Sequence, residues 1–191
     1  LKAVANAVKL HVGHANLTHL VIDFAGHGVL KGYSEVWLRS GAPEETCEAI
    51  SFPETYAAAL TCGIPNVTFI VDACRVPAAG LVMNRMTGGE IFPNRLLASF
   101  ETKVDVLLAC LAGQAAAEVS ESDAAGYQGI YTACLLSAFR EPTDDMVRVV
   151  NGQTVVPSRK LQAYLDREVR RRAAAKPIRM NQFPATRINS D

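Results

Sequence analysis

The chain has 191 residues, 49% of them apolar and 20% charged, enough for one domain that buries about 70% of its unfolded surface. Nineteen acidic residues balance nineteen basic ones, so net charge points to no polyanionic partner. No apolar run reaches the ~18 residues of a membrane span, so neither a membrane nor a nucleic acid is expected as a partner.

The opening LKAVANAVKLHVGHANL lacks the apolar stretch and cleavage site of a signal peptide. It also lacks an initiator Met, which predicts a piece of a longer protein. Residues 1–15 read as a helix with Val4, Val8 and His11 on one face. LTHLVIDF (17–24) is a short apolar run of the kind that forms a buried parallel strand. YSEVWL (33–38) alternates like a partly exposed strand. FPETYAAALTCG predicts a helix, with Pro53 in its first turn and Gly63 where the chain turns left-handed. NVTFIVDA (66–73) and KVDVLLAC (103–110) are the second and third buried strands. Residues 77–99, with three glycines and two prolines and no clear period, read as a long loop.

A later helix covers YQGIYTACLLSAFR. VRVVNGQTVVP places two β-rich runs about Asn151-Gly152, a strong hairpin signal. Ser158 is the expected cap of a helix whose stripe is Leu161, Tyr164, Leu165 and Val169. NQFPATRINSD closes as a strand or tail. Strands alternating with helices predict a single α/β domain over 1–191, its mostly parallel sheet covered on both faces. Ligands of such sheets bind beyond the carboxyl ends of the strands. Here those ends read DFAGHG, VDACR and LLACLAGQAAAE.

Two of them carry chemistry. His27 lies between Gly26 and Gly28, just past the first predicted strand; such glycines permit close approach of another backbone. Cys74 closes the second strand, 47 residues later. Neighbouring parallel strands would bring the thiol and the imidazole to one edge, a nucleophile beside its base. Either residue alone would more readily be structural; together they point to catalysis. The five cysteines (Cys47, Cys62, Cys74, Cys110, Cys134) show no CxxC pair or zinc spacing. The other four read as free thiols of a reducing compartment, the cytoplasm.

HLVIDFAGHG followed by NVTFIVDACR resembles the catalytic core of caspase-like cysteine peptidases. Caspases carry Gln-Ala-Cys with a His about 50 residues upstream. Here Asp72 stands for the glutamine, and Val76 for the glycine after Cys-Arg. The Asp-Ala-Cys run is closer to metacaspases and their bacterial relatives. VDVLLACLAGQAAAE and GIYTACLL are similar to that branch's next strand, loop and helix. The family's first strand and helix have no counterpart, a second sign of a missing N-terminal region.

The resemblance implies a caspase-like three-layer sandwich and a cysteine endopeptidase. Cys74 would be its nucleophile and His27 its general acid/base, with the backbone N–H groups of Gly28 and Cys74 as the oxyanion hole. Asp72 matches the acid that receives an arginine or lysine before the scissile bond. Glu118 falls where the branch places a second pocket acid. The segment between nucleophile and later strands is where such enzymes cut themselves, which singles out Arg85 and Arg95. Arg85 is favoured, because the glycines after it suggest easy local unfolding. The substrate would be a protein or peptide with Arg or Lys at the cleavage point. Bacterial relatives are often one part of a larger regulated protein, antiviral systems included, which implies an effector with regulatory domains or subunits. Metacaspases frequently need calcium, yet no clustered run of acids marks a site here, so no metal or other cofactor is expected.

Plainer roles compete. Asp72 could pair with Arg75 or cap a loop, and Glu118 could lie on a solvated face. Asp23, within the first strand, has only a remote claim to a triad-like role. Cys110 reads as packing, and Trp37 as core near the mouth of the site. His11, His14 and His19 are scattered without metal-ligand partners. The basic helix SRKLQAYLDREVRRRAAAK lacks interleaved aromatics and reads as an outer face. No phosphate-binding loop occurs, since MTGGEIF lacks the lysine and preceding strand. The competing class is a caspase-like scaffold that has lost activity.

Overall fold

A computed structural model describes residues 1–12, 16–93, 101–120, 127–176 and 181–190. Its centre is built from the three apolar runs read in the sequence. They form β1 (His19–Lys31), β4 (Asn66–Ala73) and β6 (Lys103–Leu108). β1 and β4 pair in parallel from His19↔Asn66 to Gly26↔Ala73. β4 and β6 do so from Asn66↔Lys103 to Val71↔Leu108. In β4 the two-residue period of a strand sorts the side chains. Val67, Phe69, Val71 and Ala73 are buried on one face, while Thr68, Ile70 and Asp72 are half-buried on the other.

The sheet is parallel at its centre and antiparallel towards both edges. β2 (Ser34–Leu38), β3 (Ala49–Ser51) and β11 (Ala185–Arg187) complete the order β11-β6-β4-β1-β2-β3, with β5 (Val76–Pro77) beside β1. The closing segment is thus a strand, antiparallel to β6. Helices α1 (Lys2–Val12) and α2 (Phe52–Ala59) share one apolar cluster with Val67, Phe69, Val71, Val104 and Val106. On the other face α4 (Ile130–Arg140) and α5 (Ser158–Ala174) enclose Leu107 with Tyr131, Leu135, Leu161 and Leu165.

Several expectations change. The first strand does not end at Phe24. It runs on through Gly26, His27 and Gly28, because β2 takes over as its partner at His27↔Leu38. Gly32, at φ 60°, opens the two-residue turn between them, as such hairpins require. Nor is β2 half-exposed: Glu35, Val36 and Trp37 are all buried. Trp37 stacks between Phe24 and Phe52, with centroids 5.0 and 4.9 Å away. The predicted loop 77–99 contains the rest of β5 and a short helix, α3 (Gly80–Asn84).

The helix expected from Tyr127 begins at Ile130. Ahead of it β8 (Tyr127–Gly129) pairs with β7 (Glu118–Ser120). The Asn151-Gly152 hairpin forms as read, joining β9 (Arg148–Val150) to β10 (Gln153–Val155) with φ of 51° and 77° at the turn. Ser158 is not the cap of α5. That position is Pro157, and the Ser158 hydroxyl meets Ser190 Oγ at 3.4 Å.

The basic run on α5 is largely engaged. Arg171 and Arg172 both bond Glu168, at 2.6 and 2.8 Å. Hydrogen bonding from Arg171, ahead of other causes, pulls the Glu168 carboxyl down to about 2. Arg170 lies over the ring of Phe183 at 4.7 Å. Among the described residues no helix is long and apolar enough to cross a membrane.

Candidate active site

His27 and Cys74 each follow the last paired positions of β1 and β4, Gly26↔Ala73. Extending that register by one residue sets the two backbones beside each other, about 4.8 Å apart in the hydrogen-bond direction, with Cys74 just past β4 and His27 inside β1, which continues to Lys31. His27 is exposed and Cys74 half-buried. The Cys74 thiol lies 3.8 Å from the carbonyl of Ala116. Continuing the alternation of each strand puts Asp23, Ala25 and His27 on the same sheet face as Asp72 and Cys74.

At Gly28 the two backbones approach closely. A Cβ there would stand 2.5 Å from the Cys74 carbonyl oxygen. The obstacle is backbone, so it yields only if the nucleophile's own segment moves. Gly28→Ala should therefore cost about 1–3 kcal/mol of stability, lowering Tm by roughly 3–10 °C. Activity should fall further than stability does. Calorimetry and turnover on the same sample check this; an unchanged Tm would show that the contact is soft.

The remaining thiols differ from Cys74. Cys62, Cys110 and Cys134 are buried and Cys47 is exposed. The Cys110 thiol bonds the carbonyls of Gln114 and Ala73, at 3.3 and 3.5 Å. Burial, the largest cause, pushes it up to about 12, and it stays an unreactive thiol. Burial likewise raises Cys134 to about 11.

Asp72 does not pair with Arg75. Its Oδ2 accepts hydrogen bonds from the Thr132 hydroxyl at 2.6 Å and the Thr132 backbone N–H at 3.1 Å. The carboxylate thereby satisfies the first turn of α4, where anions are favoured. Oδ1 accepts from none of the described residues. Gly129 makes room for the group, since a Cβ there would fall 2.2 Å from Oδ2. The small β7–β8 hairpin sets Glu118 opposite Gly129, and so beside Asp72.

Burial is the first cause that raises the Asp72 pKa. The Thr132 bonds oppose it, and the charges of Glu118 and Asp23 add to it. Asp23 is raised by burial too. The charges of Glu118 and Asp23 thus reach Asp72, and among the described residues no ion pair is seen to any of the three. Glu118 is exposed at the start of a strand rather than of a helix, and its charge reaches Asp72. Among the described residues no three His, Cys, Asp or Glu side chains form a metal-binding group.

Arg75 turns away to Glu35, with Nε 2.7 Å from Oε2. Sequence reasoning missed Glu35, whose partner lies 40 residues away. It also missed Gln182, which is 1% exposed. The Gln182 amide donates to the Ala109 carbonyl at 3.0 Å and accepts from the Ala117 N–H at 3.1 Å. That side chain spans the loop whose Ala116 carbonyl touches Cys74. A glutamine in a polar tail gives no sequence signal of such a role.

Arg85 is exposed at the end of α3, but the chain after it is not slack. Met86 is fully buried, and its carbonyl accepts a hydrogen bond from Lys31. Thr87 N–H donates to Thr46 at 2.7 Å, and Gly89 bridges Ile50. A Cβ on Gly88 would meet Ser51 N at 2.4 Å. These glycines serve close packing, which overturns the idea that they ease unfolding. Arg95 lies outside the described residues, as does His14.

Compared with known proteins, the sequence matches no family model and no curated protein.

Proposed function

We propose that the protein is a caspase-like cysteine endopeptidase that cleaves after arginine or lysine. One observation carries the reading: a half-buried thiol just past β4 and an exposed imidazole on the neighbouring strand β1 share one sheet face with the Asp72 carboxyl, which has no cation partner among the described residues. In this reaction the Cys74 thiolate attacks the scissile carbonyl carbon, and the resulting oxyanion takes hydrogen bonds from the N–H groups of Gly28 and Cys74. A lost donor of this kind usually costs about 3–4 kcal/mol. His27 passes a proton to the leaving amine as the C–N bond breaks. Water, deprotonated by His27, then hydrolyses the thioester and frees the thiol.

The guanidinium or ammonium of the residue before the cut enters the acidic space. Asp72 offers it Oδ1, which accepts from none of the described residues, and Glu118 offers a second carboxylate, so the contact is charge-assisted. An aspartate there would meet like charge. The protein is proposed to act in the cytoplasm, as a regulated effector and without a cofactor. A fluorogenic peptide panel with arginine, lysine, aspartate or alanine before the reporter tests the reading. Hydrolysis of the first two alone is expected; no hydrolysis of any, with Cys74 intact, would favour a silent scaffold.

Of the two arginines considered for self-processing, Arg95 is the better candidate. Cleavage after Arg85 would have to strip Met86 from the core and Gly89 from its bridge. Incubating active protein beside the Cys74→Ala form should give new N-termini at Leu96 and none at Met86. Ends at Met86 in the active sample would mean that this stitched segment opens after all.

A further inference from the structure

We infer that Glu35 and Arg75 are positioning residues for the Cys74–His27 pair, an inference that rests on the cysteine-peptidase reading. Arg75 follows the nucleophile directly and is fixed at both backbone and side chain. Its N–H donates to Gln114 at 2.8 Å, and its carbonyl accepts from Gly113 at 2.7 Å. Its guanidinium donates to the Cys110 carbonyl at 3.2 Å and to Glu35 at 2.7 Å. The other oxygen of Glu35 accepts from the Trp37 indole N–H at 3.0 Å.

Trp37 in turn is the β2 residue opposite Gly28. One carboxylate therefore joins the strand behind His27 and Gly28 to the residue after Cys74. Glu35 is 3% exposed, and a charge so placed needs its partners. Breaking the pair releases both halves of the site relative to each other. Near the chemistry, a shift of about 1 Å is enough to cost ~100-fold.

The test is alkylation of each cysteine by iodoacetamide at pH 6, read peptide by peptide, with exposed Cys47 as internal reference. It needs no peptide hydrolysis. Wild-type Cys74 should react well ahead of Cys47, because in the proposed dyad the His27 imidazole takes the thiol proton as the sulfur attacks. In Glu35→Gln and Arg75→Met the Cys74/Cys47 ratio should drop roughly 10- to 100-fold. Arg75→Lys, which retains a cation for Glu35, should keep most of it.

Trp37→Phe removes only the indole donor and should give a smaller loss in the same direction, which keeps the test open if Glu35→Gln does not fold. Buried Cys62, Cys110 and Cys134 should stay unlabelled throughout. Wild-type-like ratios in Glu35→Gln or Arg75→Met would overturn the positioning role. So would losses accompanied by labelling of the buried thiols, which mark general loosening. Wild-type Cys74 no faster than Cys47 would instead remove the cysteine-peptidase reading itself, and the inference with it.

Discussion

Cys74→Ala should abolish peptide hydrolysis, with kcat reduced roughly 10⁴- to 10⁶-fold, while Tm stays close to wild type. The thiol supplies the covalent step and is only half-buried, so its loss opens little cavity. His27→Ala should cost nearly as much, and the double variant no more than either, because the two act as one unit. Retained turnover in Cys74→Ala, under thiol-blocking controls, would assign the nucleophile elsewhere. An arginyl chloromethyl ketone gives a positive check. Its adduct should map to Cys74 and not to Cys110, which is buried and held protonated.

Asp72→Asn should separate substrate choice from stability. Loss of a buried charge partner should cost cleavage after arginine about 2–5 kcal/mol in kcat/KM, roughly 30- to 5,000-fold. A substrate with alanine at that position should change only a few-fold. Glu118→Gln should show a milder version of the same split. Equal losses on both substrates would reduce the acids to structural parts.

Stability should move the other way. Asp72 is raised in the folded protein above its ordinary 3.8, chiefly by burial. A raised acid gives stability that is complete below 3.8 and is lost as pH climbs through the folded value. At neutral pH the carboxylate is thus a net burden on the fold, although Thr132 and the start of α4 offset part of it. Asparagine keeps an oxygen for Thr132 without the charge. The variant should therefore melt above wild type at pH 7, with the gap closing below 3.8. A lower Tm at pH 7 would mean that the helix-capping role of Asp72 outweighs its burial.

The same shift should appear in the pH profile. A bound guanidinium draws the Asp72 pKa back down. On arginine substrates, then, the acid limb of kcat should lie at lower pH than that of kcat/KM. Asp72→Asn should erase that separation.

What the sequence made legible follows from the range of the forces involved. β4 could be read to its ends, because its alternation is local and both neighbours bury it. β1 could not be read past Phe24. Gly28, a residue type that usually breaks a strand, is here required by the close approach of Cys74, and the partner that extends the strand lies in β2. Cys74 does follow the end of β4, but the strand end expected just before His27 does not exist, since β1 continues to Lys31. The supports around the pair were not legible: Asp72 finds Thr132 across 60 residues, and Ala117 finds Gln182 across 65. Closeness in the chain offers Arg75 as the structural alternative to a substrate cation for Asp72. Opposite strand faces separate them, and a buried acid on β2 takes the guanidinium instead.

The Gln182 bridge also orders events during synthesis. Both members of the proposed dyad and both proposed pocket acids lie before residue 119, yet the loop near them is held by a side chain made 65 positions after Ala117. On the ribosome the chemical groups therefore exist well before the geometry that makes them useful. A peptidase of the proposed kind, built in this order, would stay harmless to its own emerging chain until β11 docks against β6.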